Sequence, residues 1–335
     1  MKSNILITGG LGFIGSHTVL NFLLNSDSQI VIVDNLSNSE ISTLAILESL
    51  AQQKVKYYQV DVGDYDQIKA VLQKEEITSV IHFAAAKSVS DSIKHPQFYY
   101  QNNITALLVL LQAMQECEVK QFIFSSSATV YHQSNIFPVT EESQLGYLNP
   151  YGQTKLIGED ILMREHLQTG LNVGILRYFN PLGNESSGRL GERLSTGATN
   201  IMPMLLKAIQ NQKAFCIYGH DYSTQDGTPI RDYIHVEDLA SAHRAMSEHL
   251  NQHHGCFIFN VGLGVGVSVL ELVNRFSQVN NIAIPIEFKQ RRLGDLPICF
   301  ADTQKIQQHF TWRPQYNLND MCRDAFTFFK NNYGS

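Results

Sequence analysis

The first half of the chain alternates short apolar runs with longer amphipathic stretches. The apolar runs predict strands at 4–8, 29–33, 55–60, 79–83 and 121–125, and the amphipathic stretches predict helices at 13–24, 64–74 and 91–117. Strands that alternate with helices are joined by right-handed crossovers and form a parallel sheet with helices on both faces. We therefore predict an α/β fold with a doubly wound parallel sheet, whose ligands bind beyond the carboxyl ends of the strands.

The second half of the chain follows a different pattern. Glycine and loop residues are frequent from 180 to about 196, and they precede a predicted helix at 199–210, a strand at 214–218 and a turn-rich connection to 231. This pattern predicts a smaller, C-terminal substrate-binding domain. We expect the domains to be 1–178 and 179–335, with segments around 230–260 packing back on the first domain.

Composition and charge favour small-molecule partners. The 335 residues are 44% hydrophobic, which is ample for a substantial core. The net charge of −6 creates no general attraction for nucleic acid or for an anionic membrane. Any phosphate binding must therefore come from a local group of residues.

The cysteines and the apolar runs indicate where in the cell the protein is expected. The five cysteines are scattered without Cys-x-x-Cys spacing, so we expect neither a disulfide framework nor a metal site, and a reducing compartment is the natural reading. The apolar run at the N-terminus is too short for a signal peptide, and no apolar run is long enough to span a bilayer. We expect a cytoplasmic location.

A glycine-rich turn joins the first predicted strand to the first predicted helix. Gly9, Gly12 and Gly15 recur every third residue, so the backbone can turn tightly and approach a pyrophosphate at the helix N-terminus. Asp34 ends the second predicted strand, where a carboxylate accepts from both hydroxyls of an adenosine ribose and repels a 2′-phosphate. These residues indicate a Rossmann-type domain that binds NAD rather than NADP. The alternative is a plain strand-to-helix turn, with Asp34 as a strand cap.

Two more predicted strands end in residues suited to a dinucleotide. Asp61 and Val62 follow the third strand, a position that suits the adenine edge. The small residues of 83–86 follow the fourth strand and admit the cofactor backbone, and Lys87 can meet phosphate charge. The alternatives are an acidic strand cap for Asp61 and a solvated charge for Lys87.

A tyrosine, a lysine and a serine form the candidate reactive group. Tyr151 and Lys155 are four positions apart, so on a helix the ammonium can lie beside the phenol. A nearby cation favours the phenolate, which makes tyrosine usable as a base near neutral pH. Ser127, after the fifth predicted strand, can hydrogen-bond a substrate hydroxyl and relay its proton. The alternative is a chance Tyr-x-x-x-Lys pair and an ordinary serine-rich loop.

In these features the chain resembles the extended short-chain dehydrogenase/reductase family. Finer matches extend over nearly the whole chain and resemble the UDP-glucose 4-epimerases of that family. The matching segments are Ile32–Leu36 (IVDNL), His82–Ala85 (HFAA), Phe124–Tyr131 (FSSSATVY), Leu176–Pro181 (LRYFNP), Gly227–Val236 (GTPIRDYIHV) and Arg291–Pro297 (RRLGDLP).

The resemblance implies an activity. It implies NAD-dependent interconversion of UDP-galactose and UDP-glucose by epimerisation at C4 through a 4-keto sugar, an isomerase reaction of galactose metabolism. Tyr151 would take the C4 hydroxyl proton with help from Ser127, while the C4 hydride passes to the nicotinamide. Lys155 would hold the nicotinamide ribose and lower the pKa of the phenol. The resemblance also implies a homodimer, for which helices at 91–117 and 150–168 are candidates.

The resemblance further assigns roles to particular residues. The catalytic residues are Ser127, Tyr151 and Lys155. The residues expected to bind NAD are Gly9, Gly12, Phe13, Ile14, Gly15, Asp34, Asn35, Asn38, Asp61, Val62, Phe83, Ala84, Ala85, Lys87, Asn102, Ser125, Tyr151, Lys155 and Tyr178. The residues expected to bind the UDP-hexose are Lys87, Ser127, Tyr151, Phe179, Asn180, Asn200, Tyr218, Arg231, Tyr233, Arg292, Asp295 and Cys299.

Arginine suits a nucleotide diphosphate because its guanidinium is planar and permanently charged. The family places the residues that match Asn180, Asn200, Arg231 and Arg292 on phosphates, and the residue that matches Asp295 on the uridine ribose. The alternatives are a helix cap for Asn200, an ion pair between Arg231 and the next residue, and a surface charge for Arg292.

Two positions depart from the family pattern. His132 stands where glycine is usual, which alters that loop. Cys299 matches a position that lines the 2-substituent of the sugar, where a tyrosine restricts the site to the unmodified hexose. The smaller cysteine predicts that UDP-GlcNAc and UDP-GalNAc also fit. A buried cysteine without effect on specificity is the alternative.

Two rival functions remain open from the sequence. A sugar-nucleotide 4,6-dehydratase shares the fold, NAD, the tyrosine and the lysine, but usually carries an acidic pair beside the catalytic hydroxyl, where this chain has Ala128 and Thr129. A non-catalytic NAD-binding sensor would keep the glycines and Asp34 without needing the reactive group.

Overall fold

The computed structural model describes residues 3–194, 200–292 and 295–334. Its strands are β1 (Asn4–Thr8), β2 (Gln29–Val33), β3 (Lys56–Tyr58), β4 (Ser79–His82), β5 (Gln121–Ser127), β6 (Asn172–Tyr178), β7 (Asn180–Leu182), β8 (Phe215–Tyr218), β9 (Ile230–His235), β10 (Cys256–Val261), β11 (Gly266–Ser268), β12 (Ile286–Lys289) and β13 (Ile298–Cys299). Its α-helices are α1 (Phe13–Asn25), α2 (Ser42–Ala51), α3 (Tyr65–Lys74), α4 (Val89–Lys94), α5 (Pro96–Tyr100), α6 (Ala106–Glu116), α7 (Pro150–Thr169), α8 (Ile201–Gln210), α9 (Val236–Gln252), α10 (Val269–Asn280), α11 (Gln304–His309) and α12 (Leu318–Tyr333).

A seven-stranded sheet has the order β10-β6-β5-β4-β1-β2-β3. Its strands from β3 to β5 pair in parallel. Residues 5–8 and 30–33 are buried on both faces of the sheet, as expected for apolar strands that helices cover on both sides. The order from β3 to β6 is that of a dinucleotide-binding sheet. The predicted α/β fold with a doubly wound parallel sheet is confirmed.

The long helical segment predicted over 91–117 is helical but is not one continuous helix. This segment forms α4, α5, a π-helical turn at Gln101–Thr105 and α6. Pro96 is the first residue of α5 and has no backbone N–H, so it cannot continue the hydrogen-bond ladder of α4. The apolar periodicity continues across the break, and for this reason the pattern resembles a single helix.

The chain divides into two compact units. Unit 1 comprises 1–132, 145–177 and 240–259 and contains most of the seven-stranded sheet. Unit 2 comprises 133–144, 178–239 and 260–335. Segment 133–144 therefore packs with the second half of the chain, and 240–259 packs with the first. The assignment of 1–178 to NAD and of 179–335 mainly to the UDP-sugar stays a prediction.

Unit 2 is built around β9. Strands β7 and β13 pair with β9 in parallel, β11 pairs with it antiparallel, and β8 and β12 form a separate parallel pair. The buried side chains of Leu205, Tyr233 and Phe276 belong to one apolar core that also receives α12. Among the described residues, no helix is both long enough and apolar enough to cross a membrane.

Candidate active site

The glycine-rich turn after β1 presents backbone instead of side chains. Helix α1 follows Gly12, and no side chain caps its first N–H groups. Gly9 has a φ of 67°, and a Cβ there would lie 2.8 Å from the Ala84 nitrogen. A Cβ on Gly15 would overlap the Gly9 carbonyl oxygen. The first turn of α1 therefore has free N–H groups and a helix dipole that attract a phosphate.

Asp34 follows β2 and is buried. Its carboxylate accepts hydrogen bonds from the Leu11 N–H at 3.0 Å, the Leu36 N–H at 3.0 Å and the Ser39 hydroxyl at 2.7 Å. These bonds fix the glycine-rich turn to the end of β2. An ionised carboxylate accepts about four hydrogen bonds, so Asp34 keeps capacity for a further donor, such as a ribose hydroxyl.

Asn35 and Asp61 join the ends of β2 and β3. The Asn35 amide donates to Asp61 Oδ2 at 2.8 Å, and the Gly63 N–H donates to Asp61 Oδ1 at 2.8 Å. Asn35 and Asp61 are exposed, whereas Val62 is buried. The carboxylate thus keeps acceptor capacity that faces solvent.

The loop after β4 is held by a residue that the sequence analysis missed. Asn103, in the π-helical turn, accepts from the Ala86 N–H at 2.8 Å and donates to the Ala86 carbonyl at 3.0 Å and to the Thr154 hydroxyl at 3.0 Å. It thereby ties the loop that carries Lys87 to α7, the helix that carries Tyr151. Adjacent asparagines inside an apolar helical pattern are poor helix formers, and this signal could have pointed to it.

Ser127 and Tyr151 come together in unit 1. Ser127 is the last residue of β5, and α7 begins just before Tyr151 because the Asn149 side chain accepts from the Gly152 N–H at 2.8 Å and caps the helix. Burial raises the pKa of Tyr151 to about 12, and its hydrogen bond with Ser127 acts in the opposite direction. The Thr129 hydroxyl donates to Ser127 Oγ at 3.0 Å and helps to orient it.

The Lys155 ammonium is buried against an aromatic ring. Its Nζ lies 4.9 Å from the centroid of the Phe124 ring, 3.5 Å from Ser125 Oγ and 5.9 Å from the centroid of the Tyr151 ring. Burial lowers the pKa of Lys155 to about 7, which the Glu159 carboxylate opposes. Burial acts on both groups and disfavours their charged forms, and the lowering of the Tyr151 pKa by Lys155 stays a prediction.

In unit 2, Arg231 forms an ion pair with Asp295. Both side chains are largely buried. The alternative that Arg231 pairs with Asp232 is wrong. Asp232 is fully buried, and its carboxylate accepts from the backbone N–H groups of Leu263 at 2.8 Å and Gly264 at 3.0 Å. Two residues expected to bind the nucleotide thus lie in direct contact.

Arg292 and Asn200 also have defined contacts. The Arg292 guanidinium lies 4.1 Å from the centroid of the Tyr218 ring. Asn200 precedes α8, but its side chain makes no capping bond and instead donates to Glu192 Oε1 at 2.7 Å. The helix-cap alternative for the Asn200 side chain is therefore wrong. Residue 199 is the first residue of the helix predicted at 199–210, and residues 293 and 294 belong to the Arg291–Pro297 motif. These three residues lie outside the described residues.

Cys299 lies beside this pair of charges. Strand β13 places Cys299 opposite Arg231 on β9. Burial raises the pKa of Cys299 to about 11, and the Arg231 charge opposes that shift. The Cys299 thiol is therefore neutral near pH 7. It adds a small side chain without charge to this part of unit 2.

The remaining predicted site residues are distributed over both units. In unit 1, the partly buried ones are Phe13, Ile14, Phe83, Ala84, Ala85 and Asn102, and the exposed ones are Asn38 and Lys87. In unit 2, Tyr178, Phe179 and Tyr233 are buried and Asn180 is partly buried. Unit 1 carries the predicted catalytic residues and the predicted NAD contacts other than Tyr178. Unit 2 carries the predicted UDP-sugar contacts other than Lys87, Ser127 and Tyr151.

Comparison with known proteins assigns the family. The model of the family described as GDP-mannose 4,6 dehydratase matches residues 6–325. A UDP-glucose 4-epimerase from Bacillus subtilis is 42% identical over 330 residues, which cover 98% of this chain and 97% of that protein. The chain belongs to the UDP-glucose 4-epimerase family.

Solved structures of UDP-glucose 4-epimerases share the fold over nearly the whole chain. The enzyme from Bifidobacterium longum, in complex with NAD+ and UDP, has a TM-score of 0.94 and 39% identity, with 99% of each chain covered. A UDP-Glc/GlcNAc 4-epimerase from Campylobacter jejuni has a TM-score of 0.85 and 35% identity, with 98% of this chain and 99% of that chain covered.

Membership of the UDP-glucose 4-epimerase family confirms the resemblance predicted from the sequence motifs. The dehydratase description belongs to the family model. The full-length relatives that are 40% to 42% identical to this chain carry the epimerase name. The match to the family model therefore does not favour dehydration over epimerisation.

Proposed function

We propose that this protein interconverts UDP-galactose and UDP-glucose by NAD-dependent epimerisation at C4. The observation that carries the proposal is the arrangement of Ser127, Tyr151 and Lys155. The Tyr151 phenol is hydrogen-bonded with Ser127, and the Lys155 ammonium lies one helical turn away on α7. A protein that only binds NAD has no need for these three groups together.

The residues of unit 1 fit NAD. The uncapped N-terminus of α1 and the glycine-rich turn suit the pyrophosphate, and the remaining acceptor capacity of Asp34 suits the adenosine ribose. The Asp34 charge disfavours a 2′-phosphate and so favours NAD over NADP. When bound, NAD accepts the C4 hydrogen as hydride and returns it, so that the reaction has no net redox change.

Proton transfer at O4 is the task of the side chains of unit 1. Tyr151 takes the proton of the C4 hydroxyl and later returns it, and Ser127 relays it. Since burial raises the pKa of Tyr151 to about 12, positive charge near the phenol is needed to make it a base near neutral pH. The Lys155 ammonium supplies such charge while it is protonated.

We infer that unit 2 holds the UDP group. Arg231, Arg292, Asn180 and Asn200 are assigned to the phosphates and Asp295 to the uridine ribose. A guanidinium has five N–H donors, so Arg231 retains donors for phosphate beside its bond to Asp295. A sugar that is tethered through UDP can turn over as the 4-keto form and expose its other face, which is what inversion at C4 requires.

We infer that the N-acetylated substrates UDP-GlcNAc and UDP-GalNAc are also accepted. Cys299 occupies the position where a tyrosine would restrict the sugar 2-substituent, and the thiol is small and uncharged. A relative that is 35% identical carries the name UDP-Glc/GlcNAc 4-epimerase, which supports this extension.

We also propose a homodimer and a cytoplasmic location. Ile93, Phe98 and Leu108 on α4, α5 and α6 are 55%, 53% and 48% exposed, and pairing of these helices would cover such apolar side chains. Light scattering of wild type and Phe98→Glu tests the dimer. The cytoplasmic assignment rests on the scattered cysteines, and cell fractionation tests it.

One incubation separates the candidate functions. The protein is incubated with UDP-galactose and the nucleotide sugars are then resolved. UDP-glucose as product supports epimerisation, a 4-keto-6-deoxy sugar indicates a dehydratase, and unchanged substrate indicates a non-catalytic protein. The Tyr151→Phe variant is the matched control that shows whether the product depends on the proposed base.

A further inference from the structure

A buried network of charged and hydroxyl groups adjoins Ser127 in unit 1. The Glu159 carboxylate on α7 accepts from Arg177 Nε at 3.0 Å on Oε1 and from Arg177 Nη2 at 2.7 Å on Oε2. Arg177 lies on β6 and is 1% exposed, and Glu159 is fully buried. The pair therefore connects β6 to the catalytic helix with a two-pronged ion pair.

The same ion pair contacts residues on both sides of Ser127. The Ser126 hydroxyl, just before Ser127, donates to Glu159 Oε1. On the other side, a 3₁₀ turn at Ala128–Val130 leads to Tyr131, whose hydroxyl accepts from Arg177 Nη1 at 3.1 Å. The Arg177 guanidinium also lies 5.1 Å from the centroid of the Tyr131 ring. The short segment that carries Ser127 is thus fixed at both ends.

Stability alone is a poor explanation for this arrangement. Taking two charges out of water costs free energy, and buried ion pairs can often be replaced by well-packed apolar side chains without loss of stability. What such a pair provides, and what apolar contacts do not, is a fixed direction for each hydrogen bond. Here those directions orient the Ser127 segment relative to α7, which also carries Tyr151 and Lys155.

We propose that Glu159 and Arg177 are positioning residues, which hold the Ser127 segment in register with Tyr151 through the Ser126 and Tyr131 hydroxyls. This inference rests on the proposed epimerase function. The network joins β5, β6 and α7, and β5 and α7 carry Ser127, Tyr151 and Lys155. Its loss should therefore lower kcat and leave KM and the affinity for UDP unchanged.

Two conservative variants test the two connections separately. Ser126→Ala and Tyr131→Phe each remove one hydroxyl and leave the ion pair in place. We expect kcat for UDP-galactose to fall about 10- to 100-fold in each, as for a misplacement of about 1 Å, with KM and the UDP dissociation constant within about 3-fold of wild type. Ser79→Ala is the matched control, because Ser79 is a buried serine of the same sheet whose hydroxyl has no partner among the described residues.

A double variant separates positioning from stability. In Glu159→Met/Arg177→Met the charges are replaced by apolar side chains, so the protein should fold with a Tm near that of wild type while kcat stays at least about 10-fold low. A double variant with wild-type kcat would overturn the proposal. Wild-type kcat in both single variants would overturn it as well, even if their Tm values fall.

The outcomes also distinguish this proposal from the proposed function. A wild-type protein that makes no epimer overturns the epimerase function, and the positioning role with it. An active wild type whose Ser126→Ala and Tyr131→Phe variants behave like Ser79→Ala overturns the positioning role alone.

Discussion

The Lys155 ammonium lies 5.9 Å from the centroid of the Tyr151 ring, one turn further along α7. It also lies over the Phe124 ring, at 4.9 Å from the ring centroid, and the Lys155 side chain is buried in unit 1. A charge in such surroundings destabilises the fold, while the same charge near the phenol favours proton removal from a substrate. The Lys155 ammonium is therefore expected to favour activity and to lower the stability of the fold.

The first prediction concerns stability. Burial lowers the pKa of Lys155 from 10.5 in the unfolded chain to about 7, so the unfolded state binds this proton more tightly. The resulting penalty is fully present below about pH 7 and disappears as the pH rises to about 10.5. Lys155→Met, in protein stripped of nucleotide, should therefore be more stable than wild type at pH 6.5, by a margin that shrinks towards pH 10. Urea denaturation of both proteins at each pH measures this margin.

A surface lysine provides the control for that experiment. Lys69→Met removes a partly exposed lysine whose pKa is raised by hydrogen bonding to Glu116, so it should bring no gain in stability at pH 6.5. A Lys155→Met variant that is less stable than wild type at pH 6.5 would contradict the inferred cost of burying the ammonium.

The second prediction identifies the base. Tyr151→Phe keeps the ring and removes the group that exchanges a proton with O4. We expect kcat for UDP-galactose to fall about 10²- to 10⁴-fold, with NAD and UDP affinities within about 3-fold of wild type. Steady-state rates and calorimetric titrations measure the two effects. An undiminished rate would refute the assignment.

The third prediction concerns the sugar. Cys299→Tyr adds a bulky ring opposite Arg231 on β9. Epimerisation of UDP-GlcNAc should fall at least about 10-fold, whereas that of UDP-galactose should stay within about 3-fold, because the added ring excludes only the larger 2-substituent. Cys299→Ser keeps the small volume and should keep both activities. Equal use of UDP-GlcNAc by wild type and Cys299→Tyr would show that position 299 does not set specificity.

The fourth prediction concerns the cofactor. The buried Asp34 carboxylate should make NAD bind at least about 10-fold more tightly than NADP, since it repels a 2′-phosphate. Asp34→Ser should reduce this preference and also lower the Tm, because Leu11 and Leu36 lose their acceptor. Calorimetric titration with each cofactor measures the preference, and the exposed Asp66→Asn is the control. A preference unchanged in Asp34→Ser would remove Asp34 from the selection.

The local chemistry of unit 1 could be predicted from the sequence because it depends on short segments. A strand, a turn of glycines and a helix N-terminus follow one another in the chain, so Gly9, Gly12 and Gly15 reveal a phosphate-binding turn without any long-range information. The alternation of strands and helices places Asp34 and Ser127 at the same end of the sheet for the same reason. The fold class and the family were therefore predictable.

Contacts between distant segments could not be predicted in this way. Neither the pairing of Arg231 with Asp295 nor the role of Asn103 leaves a periodic signal in the sequence. The break at Pro96 and the π-helical turn were missed because the apolar periodicity continues through them, although the proline and the adjacent asparagines are local signals against a continuous helix.

The amino-acid sequence alone was enough to identify the groups available for chemistry, since residue type and local spacing specify a base, a cation, a ribose acceptor and a phosphate-binding turn. The pKa values and the relative positions of those groups depend on the tertiary structure. Burial sets the pKa of Tyr151 at about 12 and that of Lys155 at about 7. The ion pair of Glu159 and Arg177, with the Ser126 and Tyr131 hydroxyls, connects α7, β6 and the segment that carries Ser127. Burial and geometry of this kind depend on what packs around a residue, and its neighbours in sequence do not specify that.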